Sequence, residues 1–138
     1  ELAQSNPDFV FLGMRRGEDL ARCFASGDLF LFPSLTETFG NVTVEALASG
    51  VPTVAFDYGA AREHIRHERN GAVAPFGDPE AFVHHALVLA ESPERRRMVS
   101  LCARDSVAGL SHQAVARQLV VLMERARVPA TRPDGAAA

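Results

Sequence analysis

Residues 28–57, DLFLFPSLTETFGNVTVEALASGVPTVAFD, constrain the fold more than any other stretch. A continuous apolar run at 28–34 contains Pro33 near its end. Its length and flanks predict a buried strand rather than a helix. Residues 41–50 predict a helix, with Gly50 as its stop. The run at 51–57, rich in Val and Thr, predicts the next strand. A strand, a helix and a strand in this order call for a parallel sheet with the helix packed on its face.

The alternation extends in both directions. Residues 8–13, DFVFLG, predict a short strand, and 18–27 a helix with Leu20, Cys23 and Phe24 on one side and Gly27 as its stop. A short helix at 60–67 and a short strand at 71–76 follow. Residues 78–92 open with Asp78, Pro79 and Glu80, a cap and helix-start sequence that Ser92, Pro93 and Glu94 repeat for 92–108. Residues 111–126 predict a further amphipathic helix, and the tail 129–138 has no apolar periodicity and predicts disorder. The predicted fold class is α/β, a Rossmann-like parallel sheet with flanking helices, over residues 1–128. Four strands are fewer than the roughly five or six usual for open doubly wound sheets. The chain therefore reads as the later part of a domain whose first strands are missing, with an unpaired sheet edge as the consequence.

Composition removes several function classes. The 138 residues suffice for one compact domain with its own core. A net charge of −3 argues against a nucleic-acid-binding module. No apolar run approaches the roughly 18 residues needed to span a bilayer. The opening ELAQSNPDF is acidic and polar, unlike a signal segment. Cys23 and Cys102 stand in helix-like segments outside any metal-ligand spacing and read as reduced thiols of a cytosolic protein.

The chemistry concentrates where the 28–34 strand gives way to the 41–50 helix. A helix start carries unpaired N–H groups and partial positive charge, and a neighbouring glycine admits close approach to the backbone. Gly40 and Asn41 supply that geometry, so a phosphate or diphosphate is predicted to dock on the amides from Phe39 to Val42. Carboxylates repel phosphate but accept hydrogen bonds from sugar hydroxyls. Glu37 precedes the turn and Glu45 follows Asn41 by about one helical turn. The pattern suits a ligand built as polyol, diphosphate, polyol, which is the form of a sugar nucleotide. Spacing alone leaves open that Glu37 is an ordinary loop residue and Glu45 a solvated helix residue.

FPSLTETFGNVTVEALASGVPTVAFDYGAAREHI, continuing to NGAVAPFGDPEAF, resembles the C-terminal nucleotide-sugar-binding domain of retaining GT-B glycosyltransferases of family 4, the glycosyl transferases group 1. The E-x7-E pattern from Glu37 to Glu45, the FPS strand end, the ETFG turn, the helix-to-strand run and the Asn70–Gly71 turn match in order and spacing, over roughly residues 8 to 127. The resemblance implies that Glu37 contacts donor-sugar hydroxyls and stabilises developing positive charge. It places the amides of Phe39, Gly40 and Asn41 near the sugar, Val42 near the phosphates, Glu45 on the ribose diol, and Met14 and Arg15 over the base. It implies a UDP- or GDP-sugar donor, no cofactor, no metal, and transfer of a hexosyl group to a lipid or glycan acceptor. It also implies a cytoplasmic location with contact at the inner face of the membrane. The terminal helix at 111–126 resembles the one that returns toward the N-terminal domain in this fold.

The departures from the family pattern are equally informative. The upstream phosphate-binding Arg and Lys have no counterpart; Arg15 and Arg16 come too late in the fold. None of His64, His67, His84, His85 or His112 matches the histidine-bearing loop of the N-terminal domain. The chain therefore reads as a fragment holding half of a donor site, with little transferase activity alone. His64 and His67, and the pair His84 and His85, read as solvated helix faces rather than metal ligands. The basic cluster at 94–97 reads as solvent-exposed, and Glu63 as a residue beside the donor pocket or a helix cap. Alternatives are a nucleotide-sugar epimerase, a glycogen- or starch-synthase-like relative, and a non-catalytic ligand-binding module. No G-x-G-x-x-G follows a strand, which disfavours a dinucleotide-dependent oxidoreductase, and Asp57 lacks the acidic companions of a phospho-receiver.

Overall fold

The computed structural model describes residues 2–38 and 40–126. The predicted disordered tail and Phe39 lie outside the described residues. The order of elements is α1 (Leu2–Ser5), α2 (Gly17–Ala25), β1 (Phe30–Phe32), α3 (Asn41–Ala48), β2 (Thr53–Phe56), α4 (Gly59–His64), β3 (Ala72–Ala74), α5 (Pro79–Glu91), α6 (Pro93–Val107) and α7 (His112–Ala126). The chain forms two compact units, one ending at Val107 and the other beginning at Ala108 and containing α7.

Within the first unit, β1, β2 and β3 form a three-stranded sheet in that order, and both pairings are parallel. Each crossover is made by a helix, as the alternation required. β2 is the central strand and every one of its residues is buried. Alternation along β2 feeds two cores. Val54 and Phe56 meet Ala72, Ala74, Phe82, Leu89 and Val99. On the opposite face, Ala55 meets Leu47, Ala61, Ile65, Ala103 and Val107. The helix α6 supplies residues to both clusters, so it braces the two faces together. Fully buried side chains such as Leu47 contribute roughly 1.5–3 kcal/mol each relative to exposure.

Helix ends follow from local chemistry. The Asp78 carboxylate accepts the Ala81 N–H at 3.0 Å, with Pro79 in the first helical position. The Ser92 hydroxyl accepts the Arg95 N–H at 3.3 Å in the same way. At the end of α3, Gly50 adopts φ +77° while Val51 N–H bonds to Ala46 O and Gly50 N–H to Leu47 O. That pair of bonds is a Schellman turn, which needs a left-handed residue where Gly50 stands. Two side chains of α6 complete this end: Ser100 Oγ donates to Gly50 O at 2.7 Å and Arg104 Nε to Ala48 O at 3.3 Å.

Two strand expectations are corrected. Residues 8–13 form an exposed coil rather than a strand, and Phe9, Val10, Phe11 and Leu12 all face solvent. A strand exists only against a partner, and among the described residues no strand lies beside this segment. β1 is three residues long and half-buried rather than a fully buried run across 28–34, with Leu31 47% exposed. Its one paired neighbour is β2, and its other side is an open edge among the described residues.

Candidate functional site

Ser34, Asp57 and Pro75 follow the carboxyl ends of β1, β2 and β3, which open on one edge of the sheet. In open α/β sheets ligands bind at this edge. The loop after β1 carries Glu37 and leads into α3 through Gly40, which is the N-cap residue with φ +74°. This backbone conformation is the left-handed one that favours glycine. Gly40 has no side chain to cap the helix, and α3 has no side-chain cap hydrogen bond. The Gly40 carbonyl accepts the N–H groups of Thr43 and Val44 at 3.1 and 3.3 Å. The first two helical amides, Asn41 and Val42, have no acceptor within the helix. Asn41 and Val42 are exposed, so this start of α3 is open to solvent.

Glu37 is half-buried, and its carboxylate occupies a small space between two helix starts. A Cβ at Gly40 would stand 2.9 Å from Glu37 Oε2 and would overlap Ala60 Cβ. A Cβ at Gly59, the first residue of α4, would stand 2.7 Å from the same oxygen. Only glycine at both positions lets the carboxylate, α3 and α4 approach this closely. Gly59 also has positive φ, at +52°. Together Glu37, Thr38, Gly59, Ala60 and Glu63 line an open cleft of about 240 Å³. Glu45 lies on α3 and is exposed.

Gly40, Asn41, Val42 and Glu45 thus share one helix and its entry, with Glu37 beside them, as the sequence pattern required. Met14 and Arg15 precede α2 in the chain. Both are in an exposed loop, Met14 at 81%, and the Met14 thioether accepts from Arg16 Nη2 at 3.4 Å. Among the described residues no hydrogen bond or ion pair joins Met14 or Arg15 to α3. Glu63 lies in the cleft, and its carboxylate is 3.7 Å from His64 Nε2.

Sequence reasoning missed two features. The first is the packing of Gly59 against Glu37, which joins residues far apart in the chain. The second lies at the other edge of the sheet, where the chain enters β3. His67 and His85 were expected on solvated helix faces, but His67 follows α4 in a loop and its ring centroid is 4.6 Å from that of His85. His67 Nδ1 accepts the Val73 N–H at 3.1 Å, and His84 stacks edge-on to His85 with centroids 5.5 Å apart. His67 and His85 line a cavity of about 340 Å³ whose other walls include Glu68, Leu89, Arg95 and Met98. Burial, and then the neighbouring His67 and His84, hold the His85 pKa below the usual histidine value, with Glu68 opposing. Glu68 has φ +61°, a conformation unusual for a non-glycine residue.

Comparison with known proteins fixes the family. Residues 1–92 match the family described as glycosyl transferases group 1. The GDP-mannose-dependent alpha-mannosyltransferase of Mycobacterium tuberculosis is 38% identical over 126 residues, covering 91% of this chain and 33% of the relative. The sulfoquinovosyl transferase SQD2 of Arabidopsis thaliana is 35% identical over 99 residues, 70% of this chain and 19% of the relative. The chain thus spans a third or less of these curated relatives. Among solved structures, sucrose-phosphate synthase from Thermosynechococcus elongatus superposes with a TM-score of 0.79 at 26% identity, covering 91% of this chain and 32% of that one. Anabaena Alr3699/HepE in complex with UDP-glucose superposes with a TM-score of 0.72 at 26% identity, covering 83% and 32%. The parallel sheet, its flanking helices and these neighbours identify the Rossmann-like fold of GT-B glycosyltransferases. With two thirds of its residues matching the family directly, the chain belongs to the glycosyl transferases group 1.

Proposed function

We propose that this chain is the donor-binding part of a retaining hexosyltransferase that uses a nucleotide-diphosphate sugar. The observation that carries the reading is the seating of the Glu37 carboxylate between the open start of α3 and the start of α4. The pyrophosphate would meet the α3 dipole and the amides of Asn41 and Val42. Glu37 would accept from hydroxyls of the transferred sugar, and Glu45, one turn further along α3, from the ribose diol. The amide of Phe39 and the loop carrying Met14 and Arg15 complete the proposal, toward the sugar and the base respectively.

The names of the relatives support this reading: one is GDP-mannose-dependent, and one solved neighbour holds UDP-glucose. The donor is the ligand, a UDP- or GDP-sugar, and the proposal invokes no cofactor. Catalysis would rest on positioning and on stabilising the departing diphosphate and the positive charge developing on the sugar. Glu37 is the residue nearest that task. The acceptor is proposed to be a lipid or glycan held by a further domain, with the reaction at the cytoplasmic face of a membrane. Among the described residues no helix is long and apolar enough to cross a membrane.

The test is saturation-transfer NMR with a panel of nucleotide sugars, followed by transfer assays on this chain and on a longer parent. Donor signals are expected from the nucleotide and the sugar, with turnover confined to the parent. Glu45→Ala is expected to weaken nucleotide binding about tenfold, the effect of losing a charge-assisted hydrogen bond. Glu37→Ala is expected to cut turnover about a hundredfold with a smaller change in affinity. Unchanged nucleotide affinity in Glu45→Ala would remove the ribose assignment, and equal turnover by both chains would remove the assignment as a part. Conversion of the donor to an epimer without acceptor would favour the epimerase reading instead.

A further inference from the structure

We infer that Arg62 is a positioning residue for the Glu37 site, acting through the turn that joins β2 to α4. This rests on the reading of Glu37 as the sugar-facing carboxylate. The turn runs from Asp57 through Tyr58 to Gly59, and it forms one wall of the space in which the Glu37 carboxylate sits. Its helix start lacks the usual device: the N-cap residue is Tyr58, with no side-chain cap hydrogen bond. Arg62 supplies the restraint from inside the helix. Its Nε donates to Asp57 Oδ1 at 3.1 Å and its Nη2 to the Asp57 main-chain oxygen at 2.6 Å. The guanidinium therefore ties the carboxyl end of β2 to α4 across the whole turn.

The strand side of the turn is fixed independently, since Asp57 N–H bonds to Ala74 O at 2.7 Å. The helix side abuts the site: Gly59 faces Glu37 Oε2, and Ala60 faces Gly40. A small rotation of α4 would thus carry Gly59 and Ala60 into, or away from, the carboxylate and the entry to α3. As an exposed ion pair, Arg62 with Asp57 would add little to global stability. Its two-point grip instead sets where Gly59 lies, through a planar fork that lysine lacks.

The experiment uses this chain. Amide spectra of Arg62→Ala and Arg62→Lys are compared with the parent sequence, together with the carboxyl carbon of Glu37. Arg62→Ala is expected to shift the amides of Gly40 and Gly59 and the Glu37 carboxyl signal, while the melting temperature changes little. Arg62→Lys, able to make one bond of the two, is expected to restore part of the shift. Changes confined to residues 57–63, with Gly40 and Glu37 unmoved, would overturn the inference, as would an equal global loss of stability in both variants. The reading of the site is judged separately: UDP-glucose and GDP-mannose titrated into Glu37→Gln report on that carboxylate whatever Arg62 does.

Discussion

The two edges of the sheet differ in how they are built. At the carboxyl edge, Glu37 lines an open cleft of about 240 Å³ with Thr38, Gly59, Ala60 and Glu63, and its carboxylate sits between the starts of α3 and α4. At the amino edge of β3, a cavity of about 340 Å³ is bounded by imidazoles, Leu89 and Met98. The larger of these two spaces is walled mostly by side chains, whereas beside the smaller one the backbone of Gly40 and Gly59 comes too close to Glu37 to admit a Cβ. A phosphate needs amides and a dipole, not volume, which is why the proposed nucleotide-sugar site is placed at the carboxyl edge, beside the open start of α3. On that proposal, size alone misplaces a site in which backbone groups do the recognition.

The most disruptive challenge to this contrast is a pair of glycine substitutions. Gly40→Ala combines positive φ with overlap on Ala60 and should cost about 2–4 kcal/mol, measured by denaturant unfolding. Gly71→Ala, at the amino edge, would bring a Cβ within 2.8 Å of Thr53 O and 2.9 Å of Ile65 Cγ2 and should cost about 1–3 kcal/mol. Where both variants still fold, only the first should abolish nucleotide-sugar binding, and equal loss in both would erase the distinction between the edges.

A smaller effect is expected at Thr43, on the third residue of α3, whose Oγ1 is buried without a hydrogen-bond partner. Thr43→Val keeps the shape and removes the unpaired hydroxyl, so unfolding should become harder by about 1 kcal/mol. A loss of stability instead would show that the hydroxyl serves the start of α3.

The gentlest probe is pH, and it should act on the amino edge. The folded His85 pKa is lowered, chiefly by burial and then by His67 and His84, against Glu68. A lowered histidine favours the neutral folded form. Its contribution is complete above the unfolded value near 6.5 and is lost as pH falls from there through the lower folded value. A modest decline in unfolding free energy from about pH 7.5 to about pH 5 is expected, reduced in His85→Phe. An undiminished decline in that variant would place the titration elsewhere.

Much of this architecture was legible in the chain. Asp78 and Pro79 mark the start of α5 to the residue, and Gly50 marks the end of α3, because caps and left-handed turns are local chemistry. Glu37, Gly40, Asn41 and Glu45 were legible as a group for the same reason: they lie within one strand-to-helix transition. The segment 8–13 was misread because apolar alternation reports a capacity to pair, and pairing needs a neighbour that sequence pattern cannot supply. Sequence pattern also hid the meeting of His67 with His85 and of Glu37 with Gly59.

The sequence by itself therefore determined the parallel α/β order, the capped start of α5, the glycine stop after α3 and the acidic pair around a helix start, all of them set by interactions within a few residues. Only the tertiary structure decided that α4 closes on Glu37, that Arg62 ties the turn which brings it there, and that His67 meets His85 at the far edge. Those arrangements depend on how helices pack across a sheet whose two cores must be filled at once, and packing of that kind is a property of the whole fold rather than of any one segment.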